Sequence, residues 1–383
     1  RFDHQKAKYP ALPLLDGWEK TNEKAPAIDD LITWNSISPR IGFAFQLTPD
    51  GKTLLKAHYG RYYDALHVSN FAWPGPGYTD WYAYEWIDGA WELFDYFPGE
   101  IGYIIDENMK NPYSQQLFIG LERELITDLA FGATYIHKTE SDLLGWEGRN
   151  TEYEEVQRVS PDNGETYSVF NRIGPYPETW MTTPEDYYQE YNGIIFNLKK
   201  RFSQDWMMNA SVTWSHSSGL NMMAQSTSQH SLTSYAGNFG VDPNDLINAE
   251  GDLQHDKRWV VKLSGGYNLP WDVLLGAYFT YQTGRPRPVL VRVLDLNQGR
   301  REILADPRGE TRYPSIYTLN LRAQKTFTIQ GSWRLKVMLD LFNATNDDTY
   351  RSWRDNRMWR DTFYEKSGLP EPLSLQLGLK LEF

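Results

Sequence analysis

The sequence predicts an all-β chain, an antiparallel transmembrane β-barrel portion with short turns on one side of the wall and long loops on the other. Three observations predict it. The first is the last stretch, Pro372 to Phe383, where Leu373, Leu375, Leu377, Leu379, Leu381 and Phe383 share one parity. Ser374, Gln376, Gly378, Lys380 and Glu382 share the other, so a strand, and no helix, puts every apolar side chain on one face. The second is a series of five hairpins whose connections alternate strictly between tight and long. The third is composition: 15% of the 383 residues are aromatic, including 15 Trp and 25 Tyr, as expected where aromatic girdles mark two membrane interfaces.

Taken in order, Arg1 to His4 reads as the tail of a strand, followed by a Pro-bearing loop to Pro39. Ile41, Phe43, Phe45 and Leu47 then alternate with small and polar residues up to the turn Thr48 to Lys52, whose Pro-Asp-Gly supplies the reversal. Leu55, Ala57, Tyr59 and Tyr63 return. The second hairpin sets Tyr113, Leu117, Ile119 and Leu121 against Leu129, Phe131, Ala133 and Tyr135 across Thr127-Asp128. In the third, Ile194, Phe196, Leu198 and Phe202 meet Trp206, Met208, Ala210, Val212 and Trp214 across Ser203 to Asp205. The fourth joins Trp259, Val261, Leu263 and Tyr267 to Val273, Leu275, Ala277, Phe279 and Tyr281. The fifth joins Tyr317, Leu319, Leu321 and Phe327 to Trp333, Leu335, Val337, Leu339 and Leu341 across Gln330-Gly331.

The long connections are Asp64 to Pro112, Glu140 to Gln189, Ser217 to Asp256, Arg285 to Arg312 and Thr345 to Glu371. A soluble sandwich rarely sorts its loops by length in this way, whereas membrane barrels place tight turns on the periplasmic side and long loops outside the cell. Strands of about 11 residues rise ~36 Å, which a tilt near 40° matches to the hydrocarbon thickness. The opposite parity carries Arg258, Lys262, Arg322, Gln324, Arg334, Lys336, Asp340, Lys380 and Glu382, a wet face suited to an aqueous lumen or a plug filling it. A soluble sheet with a solvated face is the bland alternative; it leaves the loop asymmetry unexplained.

Mean hydropathy is −0.60 and no apolar run has helical spanning length, which excludes a bundle of membrane helices but not a barrel. Cysteine is absent, so there is no disulfide framework and no thiolate chemistry. A net charge of −12 argues against nucleic acid as a partner. The sequence opens on Arg1 rather than Met and has no signal peptide, which reads as a processed chain or a fragment.

Candidate function lies in the loops. Between Asp64 and Pro112 the sequence crowds aromatic residues among carboxylates, and Trp73, Trp81, Trp86, Trp91, Asp80 and Glu85 are the candidate ligand-binding residues. Aromatic faces beside carboxylates suit a sugar, a cationic peptide or an organic cation. The competing assignment is that these rings pack the loop against itself. No catalytic residue, metal site or cofactor is expected, since H-E-x-x-H, G-x-S-x-G and phosphate-loop motifs are missing. Asp242, Asn244 and Asp245, and later Asn343, Asn346, Asp347 and Asp348, carry oxygen donors but match no complete EF-hand and read as turns. His216 beside Ser215 is no dyad, because neighbours in a strand point to opposite faces.

Several strings then resemble the barrel of TonB-dependent outer-membrane receptors, in particular the Oar-like subgroup. They are S-I-S-P-R-I-G-F-A-F with D-G-K-T-L-L-K-A-H-Y-G-R-Y-Y-D (Ser36 to Asp64) and N-P-Y-S-Q-Q-L-F-I-G-L-E-R-E-L (Asn111 to Leu125). Y-N-G-I-I-F-N-L-K-K-R-F-S (Tyr191 to Ser203), D-P-N-D-L-I-N-A-E-G-D-L (Asp242 to Leu253), Y-N-L-P-W with T-G-R-P (Tyr267 to Pro286) and L-D-L-F-N-A-T-N (Leu339 to Asn346) follow in order. The segment His255 to Trp259 departs from the subgroup.

The resemblance implies a barrel of roughly 22 strands around an N-terminal plug. Residues 1–383 would be the C-terminal part of that barrel, with the plug and the first half lacking. It implies a Gram-negative outer-membrane location and energised uptake of a surface ligand such as a siderophore, glycan or peptide. Partners would be outer-membrane lipid, the barrel-assembly machinery, for which Phe383 resembles the terminal assembly signal, and the TonB complex acting through the plug. Two rival expectations are a complete barrel of about 12 strands, acting as a passive channel or membrane enzyme, and a surface adhesion or structural protein.

Overall fold

The computed structural model describes residues 1–16, 19–66, 81–87, 89–97, 103–221 and 239–383. Its wall is a 12-stranded antiparallel sheet. Eleven strands form one path in chain order: Arg40–Gln46, Thr53–Tyr63, Tyr113–Ile126, Leu129–Ser141, Tyr188–Ser203, Trp206–Leu220, Trp259–Leu269, Val273–Gln282, Ile316–Gln330, Trp333–Phe342 and Ser374–Glu382. The short strand Gly251–Asp252 joins from the side, on Trp206–Leu220. All five predicted hairpins and the last strand are present. Each tight connection reverses by backbone choice: Gln204 and Asp205 both take positive φ (53° and 64°), as do Trp271 and Asp272 (67° and 59°). Two consecutive left-handed residues match the twist of the strands they join.

The two faces of the wall divide as the alternation requires. Leu375, Leu377 and Leu379 are 66, 65 and 67% exposed, and Ile119, Leu121, Phe196, Leu263, Leu275, Leu321 and Leu339 are exposed on the same apolar face. The polar face is laced across strands. Lys56 Nζ lies 2.9 Å from Glu122, Arg322 holds Asp340 in two-point contact at 2.5 and 2.8 Å, and Lys336 Nζ lies 2.8 Å from Glu382. The sheet is open, since Arg40–Gln46 and Ser374–Glu382 are its two edges. Arg40–Gln46 is exposed at every residue.

The amino-terminal stretch differs from expectation. Phe2–Tyr9 is a full strand paired with Ile28–Ile37, and Leu12–Asp16 pairs with Glu19–Ala25, where the sequence predicts the tail of a strand and a Pro-bearing loop. The reason is an inverted alternation: Ile32, Trp34 and Ser36 are buried while Thr33, Asn35 and Ile37 are exposed, so this segment answers a core on the long-loop side rather than the apolar face of the wall.

That core is the main finding about the fold. Among the described residues, the buried apolar side chains belong to the long connections, to the strand ends that enter them or to the amino-terminal strand Ile28–Ile37. Ile32, Trp34, Met109, Trp146, Met181 and Val241 form one cluster, and Val169, Val291, Val293, Leu296 and Ile303 another. The long connections are therefore folded into a cap with interiors of their own. The longest strand, Tyr188–Ser203, has 16 residues and rises about 53 Å, well beyond a ~25 Å apolar band, so the upper wall is a stem for the cap.

Candidate functional site

The connection Asp64 to Pro112 is built around a hairpin, Trp81–Ile87 paired with Ala90–Phe97, turning at Gly89 with φ +86°. Its register places Tyr84 opposite Leu93 and Trp86 opposite Trp91. Tyr82, Tyr84, Trp86, Trp91 and Leu93 share one face and are all exposed, with Trp86 and Trp91 at 53 and 66%. The two indoles meet edge to face with centroids 5.3 Å apart, the arrangement their quadrupoles favour.

The opposite side of the first strand turns inward. Ile87 is buried, and the Glu85 carboxylate accepts a 2.6 Å contact from Arg300, with Arg357 at 3.8 Å and Arg360 in contact. Burial pushes the Arg300 guanidinium down from its ordinary value, and burial raises the Glu302 carboxyl beside it. The hydrogen bonds that Arg357 donates to Asp355 raise its guanidinium and hold it charged. Cations of two later loops thus clamp the hairpin from beneath and leave its aromatic face outward.

Of the sequence-predicted site residues, Trp86 and Trp91 are brought together on that face, and Trp81 opens the same strand. Glu85 lies on the other side, committed to arginines. Trp73 and Asp80 fall outside the described residues. Phe383 is 88% exposed, its ring 5.8 Å from Trp333 across the last strand pair. The arginine clamp was not foreseen, because Glu85 and Arg300 are 215 residues apart with no periodic signal between them.

The Asx-rich segment serves the cap. Asp242 caps a 3-10 turn, Pro243–Leu246, and receives Arg301 at 2.9 Å. The Asn244 amide accepts from the Phe170 N–H and donates to its carbonyl, standing in for a strand partner. Arg292 grips Asp162 with two nitrogens at 2.7 and 3.0 Å, tying two loops together through a pair that is almost fully buried. His216 contacts Asp252 at 2.9 Å, while the Ser215 hydroxyl donates to the Lys257 carbonyl.

Comparison with known proteins follows this geometry. The model of the outer membrane beta barrel domain family matches residues 26–273. The chain is 22% identical to the TonB-dependent transporter Oar of Myxococcus xanthus over 82% of its own length, and spans only 32% of that relative. The outer membrane transporter YddB from Escherichia coli overlays with a TM-score of 0.48 at 12% identity, covering 91% of this chain and 40% of that one. The siderophore receptor PiuA from Acinetobacter baumannii gives 0.48 at 10% identity, over 91% and 36%. By its wall of alternating strands and by the family match over most of its length, the chain belongs to the outer membrane beta barrel domain family of Gram-negative bacteria, and it is similar to the TonB-dependent transporters of that membrane.

Proposed function

We propose that residues 1–383 form the C-terminal part of a TonB-dependent receptor, and that its cap binds a ligand at the cell surface for energised uptake. The observation that carries this reading is the Trp81–Phe97 hairpin: an exposed aromatic face presented on a packed cap and pinned from behind by Glu85. A face of four aromatic side chains, Tyr82, Tyr84, Trp86 and Trp91, suits stacking on a glycan, a peptide or a siderophore ring. Two unpaired sheet edges support further strands completing the barrel, since lipid tolerates no open edge. The polar face, ion-paired across strands, would then surround a plug through which the TonB complex acts, and the barrel-assembly machinery would insert the whole.

The test removes the Asp64–Pro112 loop from the full-length receptor, confirms barrel folding by heat-modifiable mobility, and measures binding and uptake of candidate cargo at the cell surface. The double change W86A/W91A should weaken binding about tenfold or more, at ~0.5–1.5 kcal/mol per stacking contact. Unchanged affinity would assign the hairpin to packing and move cargo recognition elsewhere.

A further inference from the structure

A concavity lies at the rim where Val273–Gln282 ends and Ile316–Gln330 begins, and it shares Arg357 with the clamp beneath the hairpin. It is a cavity of about 160 Å³ between Arg285-Pro286, Tyr313 and the segment Trp353 to Arg357. Roughly five times the ~30 Å³ that a water molecule occupies in the liquid, it admits a group of a few non-hydrogen atoms.

Its lining is chemically one-sided. Arg285, Arg354 and Arg357 line a space that contains one carboxylate, Asp355; Arg357 holds Asp355 in two-point contact at 2.9 and 2.7 Å, and Arg354 pairs with Glu365 at 3.2 Å. Arg285 has no carboxylate within ion-pair reach among the described residues; its guanidinium rests 5.3 Å from the Tyr313 ring centre. Of the three guanidinium groups, Arg285 is thus the one left without a carboxylate among the described residues, in a chain of net charge −12. Neighbouring groups register that field: burial, then Arg285 and Arg351, push Lys257 down, and burial, then Arg285 and Lys257, push His255 down.

The second observation is independent of charge. Asn356 is 94% buried, its backbone carbonyl accepts from Leu290, and yet neither its Nδ2 nor its Oδ1 has a protein partner. Gln254, which also lines the cavity, has a buried Oε1 without one. Buried amides left unpaired cost about 1–3 kcal/mol each, so two of them around one cavity mark a place shaped for a polar guest.

We propose that this cavity binds a compact oxyanion, with Arg285 supplying charge, the Asn356 amide donating a hydrogen bond and Trp353 and Tyr313 forming its walls. Guanidinium groups recognise carboxylate and phosphate oxygens by charge-assisted hydrogen bonds, and their setting at the rim concentrates such anions there. The site shares no varied residue with the aromatic hairpin, so its success or failure is separate from that of the cargo reading.

The experiment is calorimetric titration of the full-length receptor in detergent with acetate, inorganic phosphate and acetamide. Saturable binding of acetate or phosphate, with acetamide at least tenfold weaker, supports the proposal, and the preferred anion names its source as carboxylate or phosphate. Arg285→Gln and Asn356→Ala should each weaken that binding about tenfold while heat-modifiable mobility stays normal. Acetamide binding as well as acetate, no saturable anion binding, or affinity unchanged in both variants overturns it. The acetate-to-acetamide comparison needs no variant, so it decides the matter even where a substitution impairs folding.

Discussion

Asp252 and Arg312, 60 residues apart in the chain, are joined side chain to side chain at the rim of the wall. Asp252 sits on the short strand against Ser218 and Gly219, and also receives Arg258 at 2.9 Å and His216 at 2.9 Å. Arg312 reaches Asp256 as well, whose side chain is fully buried. The cluster fastens two long loops to the tops of three strands.

A pH prediction follows from it. Burial pushes the Asp252 carboxyl up, but hydrogen bonds from Arg312 and His216 and the charge of Arg258 outweigh burial and hold it below its ordinary 3.8. A carboxyl depressed in the folded state contributes stability that is complete above its unfolded pKa and is lost as pH falls through the lower folded value. Protease resistance of the cap should therefore hold at pH 5 and above and decline below about pH 4. Asp252→Asn should cost about 2 kcal/mol and remove its share of that acid dependence, leaving the shares of Asp106 and Asp355, which are also held low. A cap equally resistant at pH 7 and pH 3 would show that the cluster is not a fastening.

The facing of the wall is tested in its last strand. Leu377 is exposed on the apolar face, whereas Gln376 lies opposite Asp340 on the polar one. Leu377→Arg should cost about 2–4 kcal/mol near the bilayer midplane, and Gln376→Arg little. The folded fraction of each variant in lipid vesicles, read by heat-modifiable mobility, checks this, and equal insertion would mean the faces are reversed or irrelevant.

Trp333 and Phe383 give a third prediction. Phe383 is the most exposed of the large apolar side chains on the last strand, and its ring lies against Trp333 next to the tight turn. We expect deletion of Phe383 to lower outer-membrane levels and leave unassembled chain in the periplasm, while Trp333→Phe keeps the ring contact and assembles normally. Undiminished membrane levels after the deletion would remove Phe383 from assembly.

The cap core is open to a fourth test. Ile303 and Val291 are fully buried in the same cluster. Ile303→Ala should destabilise the cap by about 2–5 kcal/mol, with no loss of the folded wall. Hydrogen exchange should show faster opening of Val169 and Val293 amides and unchanged protection of Val261 and Leu319. Loss of protection in both regions at once would make wall and cap a single cooperative unit.

The wall was legible in the sequence because a period of two survives any loop that interrupts it. Ile119 and Leu121 declare their face within one strand, and Gln204-Asp205 declares its turn within two residues. Residues 2–37 misled because Ile32 and Trp34 obey the same period but serve a different core. The cap was illegible for a related reason. Its pairings, Glu85 with Arg300, Arg292 with Asp162, and the parallel contact of Tyr103–Ile105 with Thr179 to Met181, join distant segments with no repeat to signal them. Of the candidate site, the aromatic crowding of the first long loop was visible, but not its sorting into an outward ring face and an inward carboxylate.

The separation of lipid-facing and buried apolar residues sets two different rules for sequence drift. On the wall, fluid acyl chains mould themselves to whatever protrudes, so Leu377 can become Phe, Val or Ile with little consequence as long as it stays apolar. In the cap, Val291 and Ile303 are enclosed by neighbours at crystal-like density, where gaining or losing one methylene is felt by everything they touch. Wall positions should accordingly wander singly among oily residues, whereas cap positions can change only in matched sets, each exchange of bulk answered by its neighbours. A lineage that alters its cap would have to rewrite whole loops at once, while the barrel beneath keeps its grammar and loses its spelling.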